Sequence, residues 1–143
     1  MISTHTPPLN QRRAGVLLHI SSLPSDRNVG DLGTEAYRFV DFLREIGATV
    51  WQTLPINMPH ADNSPYQALS AFAGNPDFIS IETLQSQGLL LRKSDAEPQV
   101  FKKVELLANA YEAFKIRGDK KEQLALTRFC KKQAHWLDDF ALF

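Results

Sequence analysis

Acid–base and metal chemistry need carboxylates, imidazoles or thiols held in opposition, and this sequence offers few such groups. Asp26, Asp31 and Asp62 fall in stretches rich in Ser, Pro, Asn and Gly, and Asp138-Asp139 is an adjacent pair in a helical pattern. A carboxylate pair working as acid and base must meet across one cleft, carried on different strand ends. No two of these are so placed, and each reads as a solvated turn or helix-surface charge. His60 and Asp62 share a loop, but two ligand types in one loop do not make a metal site. His19 lies in an apolar run and reads as a satisfied core histidine. Cys130 falls in a helical pattern and reads as a small buried hydrophobe. On this basis the sequence assigns no catalytic residue, no metal ligand and no cofactor. The informative segment is the polar, aromatic stretch 57–77, with Ser64-Pro65-Tyr66-Gln67 near its centre. It sets a ring, hydroxyls and an amide side by side, and loops this long are usually functional.

The elements that must position this loop are legible from periodicity. Gly15-Val16-Leu17-Leu18-His19-Ile20 is a continuous apolar run, which predicts a strand over 15–20 buried on both faces. Residues 21–33 read as a loop. A helix is predicted over 34–46, capped by Thr34, with Glu35 in its first turn and Gly47 just past its end. Ala36, Phe39, Val40, Leu43 and Ile46 form its apolar face. A second strand over 48–54, containing Trp51 as packing, is stopped by Pro55. Strand, helix, strand makes a βαβ unit, whose parallel strands need a crossover and whose edges need partners. A short strand over 78–81 and a helical turn ending at Gly88 follow. Ser94 and Glu97 have capping-box spacing. Val100, Val104, Leu107, Tyr111 and Phe114 mark one helix, stopped by Gly118. Asp119 and Glu122 then open another, with Leu126, Phe129, Gln133, Leu137 and Phe140 on its face. Trp136 and Phe140 read as core, and the two helices as an αα-hairpin. The pattern still runs at Phe143, as in a chain that ends within a domain.

Bulk properties narrow the class. With 143 residues, the chain is long enough for one small domain with a core. Sixteen Lys and Arg balance sixteen Asp and Glu, so no net charge draws it to nucleic acid or an anionic membrane. A single cysteine excludes an intrachain disulfide and fits a reducing compartment, the cytoplasm. No run approaches the roughly 18 apolar residues of a membrane helix, and the run after Arg12-Arg13 lacks a signal-peptide cleavage site.

Several ordered motifs add a resemblance. The segment from Gly15 to Pro24, then Gly30-Asp31-Leu32-Gly33, and then Trp51-Gln52-Thr53-Leu54-Pro55 follow the order of the amylomaltase family. So do Ser64-Pro65-Tyr66-Gln67, Ser70-Ala71-Phe72-Ala73-Gly74-Asn75-Pro76 and the segment from Trp136 to Phe143. Over about nine-tenths of its length the chain thus resembles the 4-α-glucanotransferases. It departs from them in the segment 57–63, which lacks a Gly-rich turn, and between Leu90 and Phe101, which is shorter.

The resemblance implies the amino-terminal part of a (β/α)8 barrel, with 15–20 and 48–54 as its first two strands. It divides the chain into a lead-in (1–14), the start of the barrel with its substrate loop (15–93) and a helical segment (94–143). It implies retaining transfer of α-1,4-glucan segments between maltooligosaccharides. It further implies that Tyr66 lines the subsite beside the cleaved bond, with Ser64 and Gln67 within reach of sugar hydroxyls. The family's nucleophilic Asp, acid/base Glu and stabilising Asp lie on later strands and have no counterpart in these residues. Three readings follow: an amino-terminal piece of a transferase, inactive alone; a glucan-binding module without catalysis; or one part of a split barrel completed by a second chain.

Overall fold

The computed structural model describes residues 12–25, 29–90, 102–117 and 119–142. Strand β1 (Gly15–Leu17) pairs in parallel with β2 (Val50–Gln52), with Val16 opposite Trp51. Two further bonds, from Thr49 N–H to the Ala14 carbonyl and from Leu18 N–H to the Gln52 carbonyl, lengthen the ladder at both ends. The crossover is helix α1 (Thr34–Glu45), so the expected βαβ unit is present.

Both strands are shorter than their apolar runs. After Leu18 the chain turns into a 3-10 turn (Ile20–Ser22), which buries Ile20 rather than extending it along the sheet. The strands are also not buried on both faces. Val16, Leu18 and Trp51 face α1, whereas Leu17 is 57% exposed and Val50 lies at the surface on the other side. Gly15 is required by the pairing itself, since a Cβ there would lie 2.8 Å from the Val50 Cβ.

The core sits at the carboxyl edge of the strands. Ile20 and Leu23 meet Ala36 of α1 and Phe78, with Leu18, Phe39 and Trp51 packed around them. Trp51 is packing, as expected: its indole N–H donates to the Leu18 carbonyl at 2.8 Å and its ring meets Phe39 edge-on at 4.9 Å. The expected face of α1 is half right. Ala36 and Leu43 are buried, while Val40 and Ile46 are exposed. The N-cap is Gly33, not Thr34, which is the first helical residue. A side chain at Gly33 would collide with the Ser80 Oγ at 2.6 Å and the Asp31 Oδ1 at 2.7 Å, so close packing excludes a capping side chain there. Gly47 ends the helix in the left-handed region, φ 73°, as its position predicts.

Residues 78–81 do not form a strand. Pro76–Phe78 is a 3-10 turn whose Asn75 side chain accepts from the Asp77 N–H, and α2 (Ile81–Ser86) follows at once. Ser80, only 5% exposed, caps α2 by accepting from the Thr83 N–H. Two caps in succession outweigh the alternating Phe-Ile-Ser-Ile pattern.

Helix α3 (Lys103–Arg117) is clamped to this region. Lys103 donates to the Asp77 carbonyl, and Arg117 donates to the Gln87 carbonyl at 2.9 Å. Its inward face is Leu106, Leu107, Ala110, Ala113 and Phe114. The expected Val104 and Tyr111 are exposed instead, because apolar residues lie all round this helix. Helix α4 (Lys120–Leu142) opens as predicted, with Asp119 accepting from the Lys121 and Glu122 N–H groups. Glu122 pairs with Arg117 at 2.5 Å. At this junction the Gln123 side-chain amide donates to the Lys115 carbonyl at 3.4 Å, and no described residue of α4 is fully buried. The predicted caps at Ser94 and Glu97, and the positions Val100 and Gly118, fall outside the described residues.

Candidate functional site

Because β1 and β2 are parallel, the segments that follow them leave the sheet at one edge. That edge is where α/β folds gather ligand groups. The segment after β1 is held by Gly30, whose N–H donates to the Ser21 carbonyl at 3.1 Å. A Cβ at Gly30 would sit 2.3 Å from the Ile20 carbonyl oxygen. Next to it, Asp31 accepts from the Gly33 N–H at 2.9 Å and lies 3.9 Å from the Lys103 ammonium. Both side chains are about four-fifths buried, so Asp31 is a structural tie rather than the solvated turn charge its surroundings suggest. Asp62 is an exposed turn residue, as expected, and Asp26 is outside the described residues.

The segment after β2 is a folded loop with its own ladder. The Asn75 N–H donates to the Ile56 carbonyl, Met58 to Ala73, Leu69 to Met58, and His60 to Gln67, at 2.9–3.3 Å. Asn57 pairs antiparallel with Gly74, and Pro59 with Ala68. The tip is the turn 64–67, closed by the Gln67 N–H on the Ser64 carbonyl at 3.1 Å. Pro65 presets the turn at its second position. Asp62 accepts from the Ser64 N–H at 3.1 Å, and Asn63 adopts φ 56° to allow the bend.

Ser64, Tyr66 and Gln67 are therefore brought together on one turn. Tyr66 is 74% exposed, and among the described residues no hydrogen bond engages its hydroxyl. A ring presented this way offers a face for stacking and a hydroxyl for a ligand. Ser64 is half-buried and Gln67 is exposed.

His19 lies where β1 gives way to its 3-10 turn. Its ring meets Phe78 edge-on at 5.4 Å, but its buried Nδ1 has no hydrogen-bond partner. It is packed but not satisfied, contrary to expectation, and burial pushes its imidazole below the ordinary value. Cys130 is half-buried. Among the described residues no three His, Cys, Asp or Glu side chains come together, and no helix is long and apolar enough to cross a membrane. A depression lined by Val40, Leu43, Gly47 and Trp51 lies near the start of β2, where the chain enters the strand, and includes none of the loop residues.

One contact has no signal in the sequence. Phe72, on the loop, stacks on Trp136 of α4 at 5.7 Å and 17°, and His135 meets it edge-on at 5.5 Å. Trp136 and Phe140 are thus only half-buried, and the partner of Trp136 is the loop, not a helical core. Residues this far apart in the chain betray no contact by spacing.

Fold and site together define an α/β unit that displays a hydrogen-bonded, aromatic-tipped loop at the carboxyl edge of parallel strands. Residues 18–143 match the family described as 4-alpha-glucanotransferase, glycosyl hydrolase family 77. The 4-alpha-glucanotransferases of Aquifex aeolicus and Thermus thermophilus are 41% and 39% identical to this chain over 92% of its length. An amylomaltase from Streptococcus agalactiae, solved in complex with acarbose, superposes over 92% of the chain with a TM-score of 0.76 and 33% identity. The chain belongs to the 4-alpha-glucanotransferase family. It spans about 28% of the length of these relatives.

Proposed function

We propose that this chain is the substrate-loop segment of a 4-α-glucanotransferase, the enzyme type that moves α-1,4-glucan segments between maltooligosaccharides with retention. In this reading β1 and β2 are the first two strands of a (β/α)8 barrel. Residues 1–14 lead in, 15–93 begin the barrel and carry the loop, and 94–143 form its helical segment. The uncovered face of Leu17 and Val50 is then a surface for further barrel strands, whether from the same chain or a second one. The single cysteine is consistent with work in the cytoplasm.

The observation that carries the reading is Tyr66, 74% exposed at the tip of a loop locked by its own ladder. Its ring stacks on a pyranose face while its hydroxyl hydrogen-bonds, and Ser64 and Gln67 reach neighbouring hydroxyls. Retaining transfer needs a nucleophilic carboxylate and a carboxylic acid roughly 5–5.5 Å apart, with a covalent glycosyl-enzyme between two displacements. A sugar 4-hydroxyl, not water, completes the second. In the family resemblance both carboxyl groups belong to later strands of the barrel, so in this reading the present segment binds and orients glucan and the cleaving carboxylates come from elsewhere in the barrel. The test is calorimetric titration with maltotetraose. Tyr66→Ala should weaken binding about tenfold, the equivalent of ~1.4 kcal/mol and within reach of one stacking ring. Equal affinity of the two proteins contradicts the proposal.

A further inference from the structure

We infer that Trp136 of α4 is a positioning residue for the glucan loop, acting through Phe72. The inference rests on the proposed role of Tyr66 for its functional meaning, but its geometry is independent of that role.

Phe72 is 61% exposed, so burial alone does not hold it. What fixes it is one packed face, stacked on the Trp136 indole at an interplanar angle of 17°, and an edge contact to His135. The indole is itself oriented, since its N–H donates to Gln133 Oε1 at 2.8 Å and its ring leans on Phe140. The backbone at Phe72 is equally defined, because the Ser70 Oγ accepts from the N–H groups of both Phe72 and Ala73 at 3.1 Å.

From there the loop transmits position by hydrogen bonds. The Ala73 carbonyl takes the Met58 N–H and the Asn57 side-chain amide, and Ala73 is 7% exposed. The Met58 carbonyl takes the Leu69 N–H, and the His60 N–H reaches Gln67 in the turn that carries Tyr66. An unbroken chain of contacts therefore runs from the α4 indole to the Tyr66 turn. A loop held only by its own ladder can still shift as a unit and open locally, and ordering it on binding costs affinity. A mid-loop ring clamped by a helix removes that freedom beforehand. In this arrangement α4 acts on the glucan loop by ordering it.

The test is amide hydrogen exchange on the 143-residue chain, followed by mass spectrometry. Local opening of the loop reports on its own contacts, separately from global unfolding. Phe72→Ala and Trp136→Ala should each speed exchange at Met58, His60, Gln67 and Leu69 about three- to tenfold, the range one aromatic pair supplies. Exchange in α1 should stay unchanged. The double variant should exchange no faster than either single one, and Trp136→Phe should restore slow exchange. Unchanged loop exchange in Phe72→Ala overturns the inference, and because that ring is largely exposed, this variant decides the matter even where Trp136→Ala unfolds. A maltotetraose titration then separates the two proposals. If Tyr66→Ala leaves affinity intact, the glucan reading fails while loop exchange still decides the clamp. If Tyr66→Ala weakens affinity and Phe72→Ala does not, the clamp has no functional role and the inference fails.

Discussion

Replacing Gly30 by alanine should be among the most damaging single-methyl changes in the molecule, and the structure says why. A Cβ there would lie 2.3 Å from the Ile20 carbonyl oxygen, 2.7 Å from that of Leu23 and 2.8 Å from the Leu23 Cβ. Carbon and oxygen settle at about 3.3 Å or more, so backbone atoms must retreat by roughly 1 Å. Ile20 and Leu23 belong to the core cluster, so they retreat only by loosening it. Overpacking of this kind costs about 1–3 kcal/mol. Losing the Gly30–Ser21 hydrogen bond adds about 0.5–1.5 kcal/mol. Reduced unfolded-chain entropy returns about 0.4–1 kcal/mol. The net loss centres on about 2 kcal/mol, within bounds of about 0.5–4, a large part of the roughly 5–15 kcal/mol that holds a typical domain. Two other glycines serve as references. Gly74 has nothing within 4 Å and no positive φ, so Gly74→Ala should be neutral or slightly stabilising. Gly47 also has open space but sits at φ 73°, so Gly47→Ala should cost about 1 kcal/mol from backbone strain alone. Urea unfolding followed by far-ultraviolet circular dichroism measures all three, with stability read from the midpoint at constant slope. The expected order of loss is Gly30, then Gly47, then Gly74. A Gly30→Ala protein as stable as Gly74→Ala would refute the packing argument.

Two further outcomes follow. Because burial lowers the His19 pKa from 6.5, the unfolded chain binds its proton more readily than the folded one. Stability should therefore be full above about pH 6.5, fall as the pH drops through that value, and level off below the folded pKa; His19→Phe should flatten this slope in urea melts taken between pH 5 and 8. On the proposed reading, in which the nucleophile and acid lie on later barrel strands, the purified chain should produce no glucose or longer glucans from maltotriose; sustained turnover that survives repeated purification would contradict this.

Much of the frame was legible because it depends on local pattern. The βαβ unit, the end of α1 at Gly47 and the Asp119 cap of α4 each follow from periodicity and turn chemistry over a few residues. What failed depends on tertiary packing. Gly33 replaces Thr34 as cap because Ser80, far along the chain, fills the space a side chain would need. The strand expected over 78–81 yields to caps at Asn75 and Ser80, whose bonds outweigh a short alternating pattern. Leu17 and Val50 looked buried from the apolar runs around them, yet only the α1 side of the sheet is covered here. That Ser64, Tyr66 and Gln67 share one turn is consistent with the Pro65 motif that singled them out, and their role in binding is a proposal. The ladder beneath them follows only from the fold, as does the stacking of Phe72 on Trp136.

In the proposed function the turn 64–67 meets α-1,4-linked glucan through Tyr66. Chemical-shift mapping of the ¹⁵N-labelled chain during titration with maltotetraose, beside its β-linked isomer cellotetraose, tests it most directly. The largest shifts should fall on the amides of His60, Ser64, Tyr66 and Gln67, should be absent with cellotetraose, and should vanish in Tyr66→Ala. Shifts gathered instead along α1 and the depression near Gly47, or shifts indifferent to Tyr66→Ala, would contradict the account.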